Sequence, residues 1–274
     1  MADKLKVADL PPVARTLLIP LSYRAIESRK PDPILRDPQA VELLSRFDVD
    51  FERMVKSLGL EQIATMMRTR QFDRWAAAFL KEHPGGIVVD IGCGLDARPA
   101  RVDDGRREWF GLDFPEVIEV RRKLLPEGPR EQLIAGSVLD FAWMDAIAAE
   151  KRPAIFIAEG VLPYLEGDDV RRLIIALSER FPGSELGFDA INRFSVWIHS
   201  FHPAIRKAGV RLRWVLENAK ELESLGPCIH LLEEWDYYRE NEPRLGIYNW
   251  MRVFPPFVKT NYLVRLRFGE GNGG

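Results

Sequence analysis

Cysteine, long apolar runs and excess charge are all scarce in this chain of 274 residues. Its two cysteines, Cys93 and Cys228, lie far apart without paired metal-ligand spacing, so we predict neither a disulfide framework nor a metal site. The apolar runs have the length of strands, and the first residues lack the basic region and apolar core of a targeting segment. We therefore expect a cytoplasmic protein with no membrane partner.

The charge balance argues against polyanionic ligands. The 39 basic and 41 acidic residues give a net charge of −2 and are interleaved along the chain, so nucleic acid is not an expected partner. No Gly-Lys-Ser/Thr loop is present, which removes the common nucleoside triphosphate site. The hydrophobic fraction of 46% is enough for one sizeable core.

The first part of the chain has helical signals. Asp37-Pro38 opens a predicted helix to about Phe47, and a long helix is predicted from about Leu60 to Glu82, before Pro84-Gly85-Gly86. We interpret residues 1–84 as an N-terminal helical cap that belongs to the same unit as the rest.

Short β-like runs then alternate with helix-like stretches, which predicts an α/β, Rossmann-like fold with a mostly parallel sheet and helices on both faces. Two later runs would complete seven strands at one edge. The predicted strands are Ile87–Asp90, Glu108–Asp113, Gln132–Ala135, Ala154–Glu159, Glu185–Ala190, Cys228–Leu232 and Tyr262–Phe268. The core is predicted over residues 85–268, with an inserted lid at about 192–215 and a flexible tail at 269–274.

Acidic residues follow four successive strands. Asp90, Asp113, Asp140 and Glu159 stand at or just after the carboxyl ends of the first four strands. Open parallel sheets bind ligands at this edge. Between the first strand and its helix, the Gly92-Cys93-Gly94 turn allows a ligand to approach the backbone closely.

The charges around this turn discriminate between two ligand classes. Gly92-x-Gly94-x-x-Ala97 also matches a dinucleotide motif, but Asp90 and Asp96 would repel a pyrophosphate. S-adenosylmethionine has no phosphate, carries a sulfonium and an ammonium, and offers ribose hydroxyls to a carboxylate. It is the predicted cofactor. A nicotinamide-dependent oxidoreductase and a non-catalytic S-adenosylmethionine-binding protein remain as alternatives.

Motifs from about Arg24 to Arg267 carry a family resemblance. They are Glu27-Ser28-x-x-Pro31-Asp32-Pro33 with Asp37-Pro38-x-Ala40, Arg68-Thr69-Arg70-x-Phe72-Asp73, Asp90-Ile91-Gly92-Cys93-Gly94-Leu95-Asp96-Ala97-Arg98, Asp113-Phe114-Pro115-Glu116-Val117-Ile118, Ser137-Val138-Leu139-Asp140-x-x-Trp143, and Glu159-Gly160-Val161-Leu162-x-Tyr164-Leu165. In this order and spacing, the chain resembles the leucine carboxyl methyltransferase family, and more closely its bacterial polyketide O-methyltransferase branch.

The resemblance implies a class I methyltransferase fold and a set of cofactor contacts. For the methionine moiety, it implies that Arg68 binds the carboxylate and that the turn from Gly92 to Gly94 faces the backbone. Glu159 and Gly160 are implied to lie against the amine and the transferring methyl. For the nucleoside, it implies that Asp113 holds the ribose hydroxyls and that Ser137 and Val138 flank adenine, with Asp140 close by. Asp90 at the end of the first strand completes the predicted cofactor site. The family often has an acid two residues before Asp113, where this chain has Gly111.

The expected reaction is O-methylation of a small-molecule carboxylate or phenol, and polyketide-like compounds are among the expected acceptors. Tyr164 is the candidate catalytic residue, and His199, His202 and Trp197 are further candidates for acceptor contact. Trp197, Phe201 and Trp214 are expected to form an aromatic wall. Cys93 has no adjacent base and is interpreted as a small buried thiol rather than a nucleophile. The sequence does not predict the oligomeric state.

Overall fold

A seven-stranded sheet forms the centre of the computed structural model, which describes residues 4–7, 10–11, 15–51, 59–102, 107–148, 150–200, 211–253 and 259–269, with the backbone alone for 198–200 and 251–253. The strands are β1 (Ile87–Ile91), β2 (Glu108–Asp113), β3 (Glu131–Ala135), β4 (Ala154–Ala158), β5 (Glu185–Ile191), β6 (Ile229–Asp236) and β7 (Asn261–Phe268). Six of these strands match the predicted ranges to within one residue at either end, whereas β6 continues four residues beyond the predicted end at Leu232.

The strand order is β3-β2-β1-β4-β5-β7-β6. β1 to β5 pair in parallel, and β7 is antiparallel to both β5 and β6. β1 and β4 are buried along their whole length and are apolar except for Asp90, as is typical of strands covered on both faces. The order reverses between β1 and β4, and open α/β sheets generally bind ligands at the carboxyl ends of the strands on either side of such a reversal. The predicted mostly parallel, seven-stranded sheet is confirmed.

Eight α-helices and three 3₁₀ segments have bounds within the described part of the chain, and the first three helices precede β1. The helices are α1 (Leu18–Ser28), α2 (Pro38–Ser45), α3 (Gly59–Glu82), α4 (Arg98–Val102), α5 (Pro115–Leu124), α6 (Trp143–Ala148), α7 (Gly167–Arg180) and α8 (Arg193–Ser200), and the 3₁₀ segments are Leu162–Tyr164, Ala219–Leu225 and Pro243–Val253. The helix predicted to open at Asp37-Pro38 is α2, where the Asp37 carboxylate accepts the Ala40 N–H at 2.9 Å. The long predicted helix is α3.

Helices cover both faces of the sheet. On one face, Phe72 and Trp75 of α3 share an apolar cluster with Val88 of β1. On the other, Leu173 of α7 packs in a cluster with Phe156 of β4. Helix α3 therefore covers the same sheet that follows it in the chain, while the division at residue 84 stays a prediction.

The predicted lid is described only in part. It contains α8, whereas residues 201–210 lie outside the described residues. The described residues resume at 211, and the N–H groups of Arg213 and Trp214 donate to the Pro163 carbonyl at 2.8 and 3.2 Å. The base of this segment therefore lies against the 3₁₀ segment that follows β4. Among the described helices, none combines the length and apolar character needed to cross a bilayer.

Candidate active site

The turn after β1 depends on glycine at its first position. Gly92 has a φ of 71°, and a Cβ there would lie 2.5 Å from Cγ2 of Val161. That distance is too short for carbon atoms, and the positive φ already disfavours other residues. The turn therefore lies directly against the segment that follows β4.

Asp113, at the end of β2, lies beside this turn. Its two carboxylate oxygens accept the N–H groups of Gly94 and Phe114, each at 2.8 Å. Burial raises the pKa of Asp113, and these two backbone donors oppose the shift. A carboxylate oxygen can accept more than one hydrogen bond, so both oxygens can still accept a hydrogen bond from a ligand hydroxyl.

Arg121, a residue that the sequence analysis missed, holds the turn from its other side. Its Nη1 donates to the carbonyl oxygens of Gly94 at 3.0 Å and Asp96 at 2.6 Å, with a longer contact of 3.4 Å to that of Cys93. Its Nη2 donates to Glu131 of β3 at 2.7 Å. This guanidinium is only 3% exposed, so its hydrogen bonds are fixed in a buried setting.

A second buried arginine, Arg98 at the start of α4, lies among four carboxylates. It pairs with Asp73 at 2.8 Å, with Glu159 at 2.7 Å, more distantly with Asp96 at 3.8 Å, and closely with Asp90. The structure therefore places Asp90, predicted to line the cofactor pocket, in an ion cluster behind the turn. Burial raises the pKa of Asp90 to about 6, although the Arg98 charge lowers it. Direct cofactor contact by Asp90 stays a prediction.

This cluster extends to the N-terminal helices. Arg101 pairs with Asp37 at 2.9 Å, Asp73 at 2.7 Å and Asp96 at 2.7 Å, and Arg24 of α1 donates to the Leu95 carbonyl at 2.8 Å. Although burial favours protonation of Asp96, the surrounding guanidinium groups outweigh it and lower the pKa. The helices before β1 therefore contribute charged partners to the turn itself.

Arg68 of α3 meets the ends of β4 and β5. Its Nε pairs with Glu159 at 3.0 Å, and its Nη1 contacts Asp189 of β5 at 3.4 Å. The Thr69 hydroxyl donates to the same Glu159 carboxylate at 2.8 Å. Asp189 was not singled out from the sequence, because it lies inside a run that carries only a strand signal.

The remaining nitrogen of Arg68 is available. Among the described groups, Nη2 of Arg68 has no hydrogen-bond partner, and it lies 3.8 Å from where a Cβ on Gly160 would stand. Gly160 has a φ of 68°, a conformation that glycine adopts readily. An open guanidinium nitrogen beside a residue without a side chain fits the carboxylate of an amino-acid moiety.

Ser137 and Val138 follow β3 at the same edge and are half-buried. The Ser137 hydroxyl oxygen accepts the Leu139 N–H at 3.2 Å, and the Val138 carbonyl accepts the indole N–H of Trp143 at 3.2 Å. Asp140 is exposed. These residues form a turn at the position where the sequence predicts adenine, and that role stays a prediction.

Tyr164 is 44% exposed in the 3₁₀ segment after β4. Partial burial raises its pKa, the nearby Asp189 carboxylate raises it further, and Arg68 opposes both. Tyr237, which follows β6, was not singled out from the sequence either. Its burial raises its pKa, the Arg68 charge opposes the shift, and the Asp189 charge adds to it. Two phenols therefore lie near Arg68 and Asp189.

The predicted acceptor contacts differ in outcome. Trp197 is 58% exposed and stacks on Phe194 with ring centroids 5.8 Å apart. The prediction for Trp214 is wrong, because this residue is buried in the core with its ring 5.8 Å from that of Phe188. The His199 side chain, Phe201 and His202 lie outside the described residues.

Cys93 is a buried thiol, as predicted. It packs against Ile118 and Leu133, and burial raises its pKa to about 12. A thiol that stays protonated is a poor nucleophile.

Known proteins with the same features identify the family. A sequence model described as leucine carboxyl methyltransferase matches residues 18–178. The tetracenomycin polyketide synthesis O-methyltransferase TcmP of Streptomyces glaucescens is 36% identical over 224 residues, which cover 81% of this chain and 82% of that protein. The S-adenosyl-L-methionine-dependent methyltransferase dpfgK of Gibberella zeae is 29% identical over 294 residues, covering 99% and 97% of the two chains.

A solved structure supports the fold. The crystal structure of a DUF574 family protein from Streptomyces avermitilis aligns with a TM-score of 0.59 at 16% identity, covering 91% of this chain and 96% of that one. The sequence relatives do not favour the nicotinamide-dependent and non-catalytic alternatives. The chain belongs to the leucine carboxyl methyltransferase family, and it is an S-adenosylmethionine-dependent O-methyltransferase.

Proposed function

We propose that this methyltransferase acts on an oxygen of a small aromatic carboxylic acid or phenol. The observation that carries the proposal is the open Nη2 of Arg68 beside Gly160, with the half-exposed Tyr164 in the next segment. It supports an amino-acid-binding position next to an accessible phenol. The relative named for tetracenomycin polyketide synthesis supports a polyketide-like aromatic acceptor.

The cofactor site in this proposal has one group for each part of the ligand. Arg68 binds the methionine carboxylate, Glu159 and Gly160 lie against the amine, and Asp113 accepts the ribose hydroxyls. The glycine turn supports the methionine backbone, and the residues after β3 flank adenine. The full set is Arg68, Asp90, Gly92, Gly94, Asp113, Ser137, Val138, Asp140, Glu159 and Gly160.

When bound, S-adenosylmethionine supplies a methyl group already activated by its sulfonium. The protein therefore has mainly to hold the acceptor oxygen in line and to exclude water. Positioning of this kind contributes on the order of 7 to 11 kcal/mol to barrier lowering. Arg68 and Asp113 hold the methionine and ribose moieties of the cofactor, and their bonds to Glu159, Asp189 and Gly94 keep them in place.

The acceptor chemistry follows from Tyr164. Its phenol is protonated at neutral pH, as tyrosine ordinarily is, and the raised pKa of Tyr164 favours that form further, so the hydroxyl can donate a hydrogen bond to an acceptor oxygen. A carboxylate acceptor has no proton to lose and needs no base, whereas a phenol must give up its proton. Carboxylates are therefore the preferred class within this proposal.

The test is methyl transfer from labelled S-adenosylmethionine to matched acceptors. A hydroxynaphthoic acid would be compared with its methyl ester, which leaves only the phenol, and its methyl ether, which leaves only the carboxylate. We expect an alkali-labile ester product from the acid and the ether. No transfer to any of the three compounds would overturn the acceptor class.

A variant pair tests the role of Tyr164. Tyr164→Phe should raise the acceptor KM or lower kcat by about tenfold, the effect of one lost hydrogen bond, without weakening cofactor binding. Tyr248→Phe is the matched control, since Tyr248 is 46% exposed in the 3₁₀ segment after β6. Equal effects of the two variants would contradict the role.

A cytoplasmic location and a free small-molecule acceptor complete the proposal. Both cysteines are free thiols, Cys93 buried and Cys228 exposed, which is typical of proteins from a reducing compartment. The balanced charge supports a partner other than nucleic acid.

A further inference from the structure

Asp189 is a buried carboxylate at the point where two strands and a helix meet. It lies in β5 and is 8% exposed. Its neighbour Phe188 pairs with Ala158, the last residue of β4, so Asp189 stands level with Glu159. Strand residues this deeply buried are normally apolar, so a carboxylate here must be held by specific partners.

Each oxygen of this carboxylate has its own partner. Oδ1 accepts the Gly160 N–H at 2.6 Å, and Oδ2 contacts Nη1 of Arg68 at 3.4 Å. The N–H and C=O of a trans peptide point in opposite directions. By holding the Gly160 N–H, Asp189 therefore turns the Glu159 carbonyl oxygen away from itself.

The Arg68 guanidinium is fixed between two carboxylates. Glu159 holds Nε and Asp189 holds Nη1, which directs Nη2 toward Gly160. Glu159 is itself held by Arg98 and the Thr69 hydroxyl, but Asp189 has no guanidinium partner besides Arg68 among the described residues. Without Asp189, Glu159 alone would fix the orientation of the planar Arg68 guanidinium.

We propose that Asp189 is the positioning residue for the amino-acid end of the cofactor. It orients the Arg68 guanidinium toward the methionine carboxylate and the Glu159–Gly160 peptide toward the ammonium. The inference rests on the proposed cofactor site, and it adds a residue that acts on the cofactor only through its two neighbours. Its effect is therefore confined to the amino-acid moiety and does not extend to ribose or adenine.

Two ligands separate these moieties. S-adenosylhomocysteine contains the amino acid, whereas 5′-methylthioadenosine keeps the nucleoside and the thioether but lacks it. Calorimetry would measure both dissociation constants for the unsubstituted protein, Asp189→Ala and Asp189→Asn. The Asn variant keeps an oxygen that can accept the Gly160 N–H but removes the charge opposite Arg68.

We expect Asp189→Ala to weaken S-adenosylhomocysteine binding by about 30-fold, as for a lost hydrogen bond to a charged group, with little change for methylthioadenosine. Asp189→Asn should weaken it by an intermediate factor. Glu185→Gln is the matched control, because Glu185 is a buried β5 acid that pairs with Arg265 and Arg267 away from the site. It should leave the ratio of the two dissociation constants unchanged.

Equal weakening of both ligands by Asp189→Ala would overturn the inference, since a general loss of structure acts on both. Unfolding temperatures of all variants would identify such a loss. Failure of the unsubstituted protein to bind S-adenosylhomocysteine would instead contradict the proposed cofactor site. The two failures are therefore distinguishable.

Discussion

The glycine turn after β1 and helix α8 after β5 both lie at the carboxyl edge of the sheet, yet they are held in different ways. The turn is fixed by Arg121 and Arg24 through its carbonyl groups and by Asp113 through the Gly94 N–H. Helix α8 is instead anchored through the buried Ser195, whose hydroxyl donates to Oδ1 of Asn261 at 3.0 Å, and it exposes Trp197 to solvent. From this difference we expect substitutions around the turn to affect cofactor binding, and substitutions on the exposed side of α8 to affect the acceptor.

The largest expected effect comes from breaking the ion cluster behind the turn. Arg98→Met would leave Asp73, Asp90 and Glu159 without their shared guanidinium. We expect the free energy of unfolding to fall by about 3 to 5 kcal/mol, as for other broken buried pairs. Urea denaturation would measure this loss. Arg172→Met, which removes an exposed pair with Asp169, should cost less than about 1 kcal/mol, and equal losses would contradict the comparison.

The pH dependence of stability is the next effect. The pKa of Asp90 is about 6 in the folded protein, above its ordinary value of 3.8, so the folded state retains this proton more strongly than the unfolded state. The stabilisation is complete below about pH 4 and is lost as the pH rises through about 6. The free energy of unfolding, taken relative to Asp90→Asn, should fall by about 2 to 3 kcal/mol between pH 4 and 7.5. A difference that stays constant with pH would contradict this assignment.

Removing a side chain that holds the turn should weaken cofactor binding. Arg121→Met removes the donor to the Gly94 and Asp96 carbonyls, and we expect S-adenosylhomocysteine to bind about tenfold more weakly. Arg122→Met, on the same helix but half-exposed, is the control. Calorimetry on both variants would test whether the rigidity of the turn matters for binding, and unchanged affinity in Arg121→Met would show that it does not.

The smallest expected effect is on the acceptor side. Trp197→Ala should raise the acceptor KM by about fivefold through lost aromatic contact and leave cofactor affinity unchanged. Trp250→Ala, at 72% exposure in the segment after β6, is the comparison variant. Steady-state kinetics with an acceptor that is active in the methyl-transfer assay would measure both KM values. Weaker cofactor binding in Trp197→Ala would contradict the assignment of α8 to the acceptor alone.

The sequence was a good guide to the strands because their signals are local. The runs Ile87–Asp90 and Ala154–Glu159 each consist of apolar residues followed by an acid, and glycine comes within two residues of each acid. The Gly92 turn and the position of Asp113 at the end of β2 could also be predicted, because both follow from residues next to one another in the chain. Proline and glycine before β1 also marked the end of α3 correctly.

The contacts that hold the site could not be predicted, since they join residues distant in the chain. Arg68 and Asp189 are 121 residues apart, and Arg24 reaches the Leu95 carbonyl across 71 residues. The run around Asp189 indicates only a buried strand. Trp214 was misassigned because an aromatic residue in a polar segment gives no sign of whether it packs into the core or lines a pocket.

The central claim is that the turn and Asp113 bind the methyl donor. Calorimetry of the unsubstituted protein and Asp113→Ala with S-adenosylhomocysteine tests it most directly, with the reduced nicotinamide dinucleotide as a control ligand. We predict binding to the methyl-donor product alone, and a loss of about 100-fold in the variant, which lacks two carboxylate hydrogen bonds. Undiminished affinity in Asp113→Ala, or binding of the dinucleotide instead, would contradict the account.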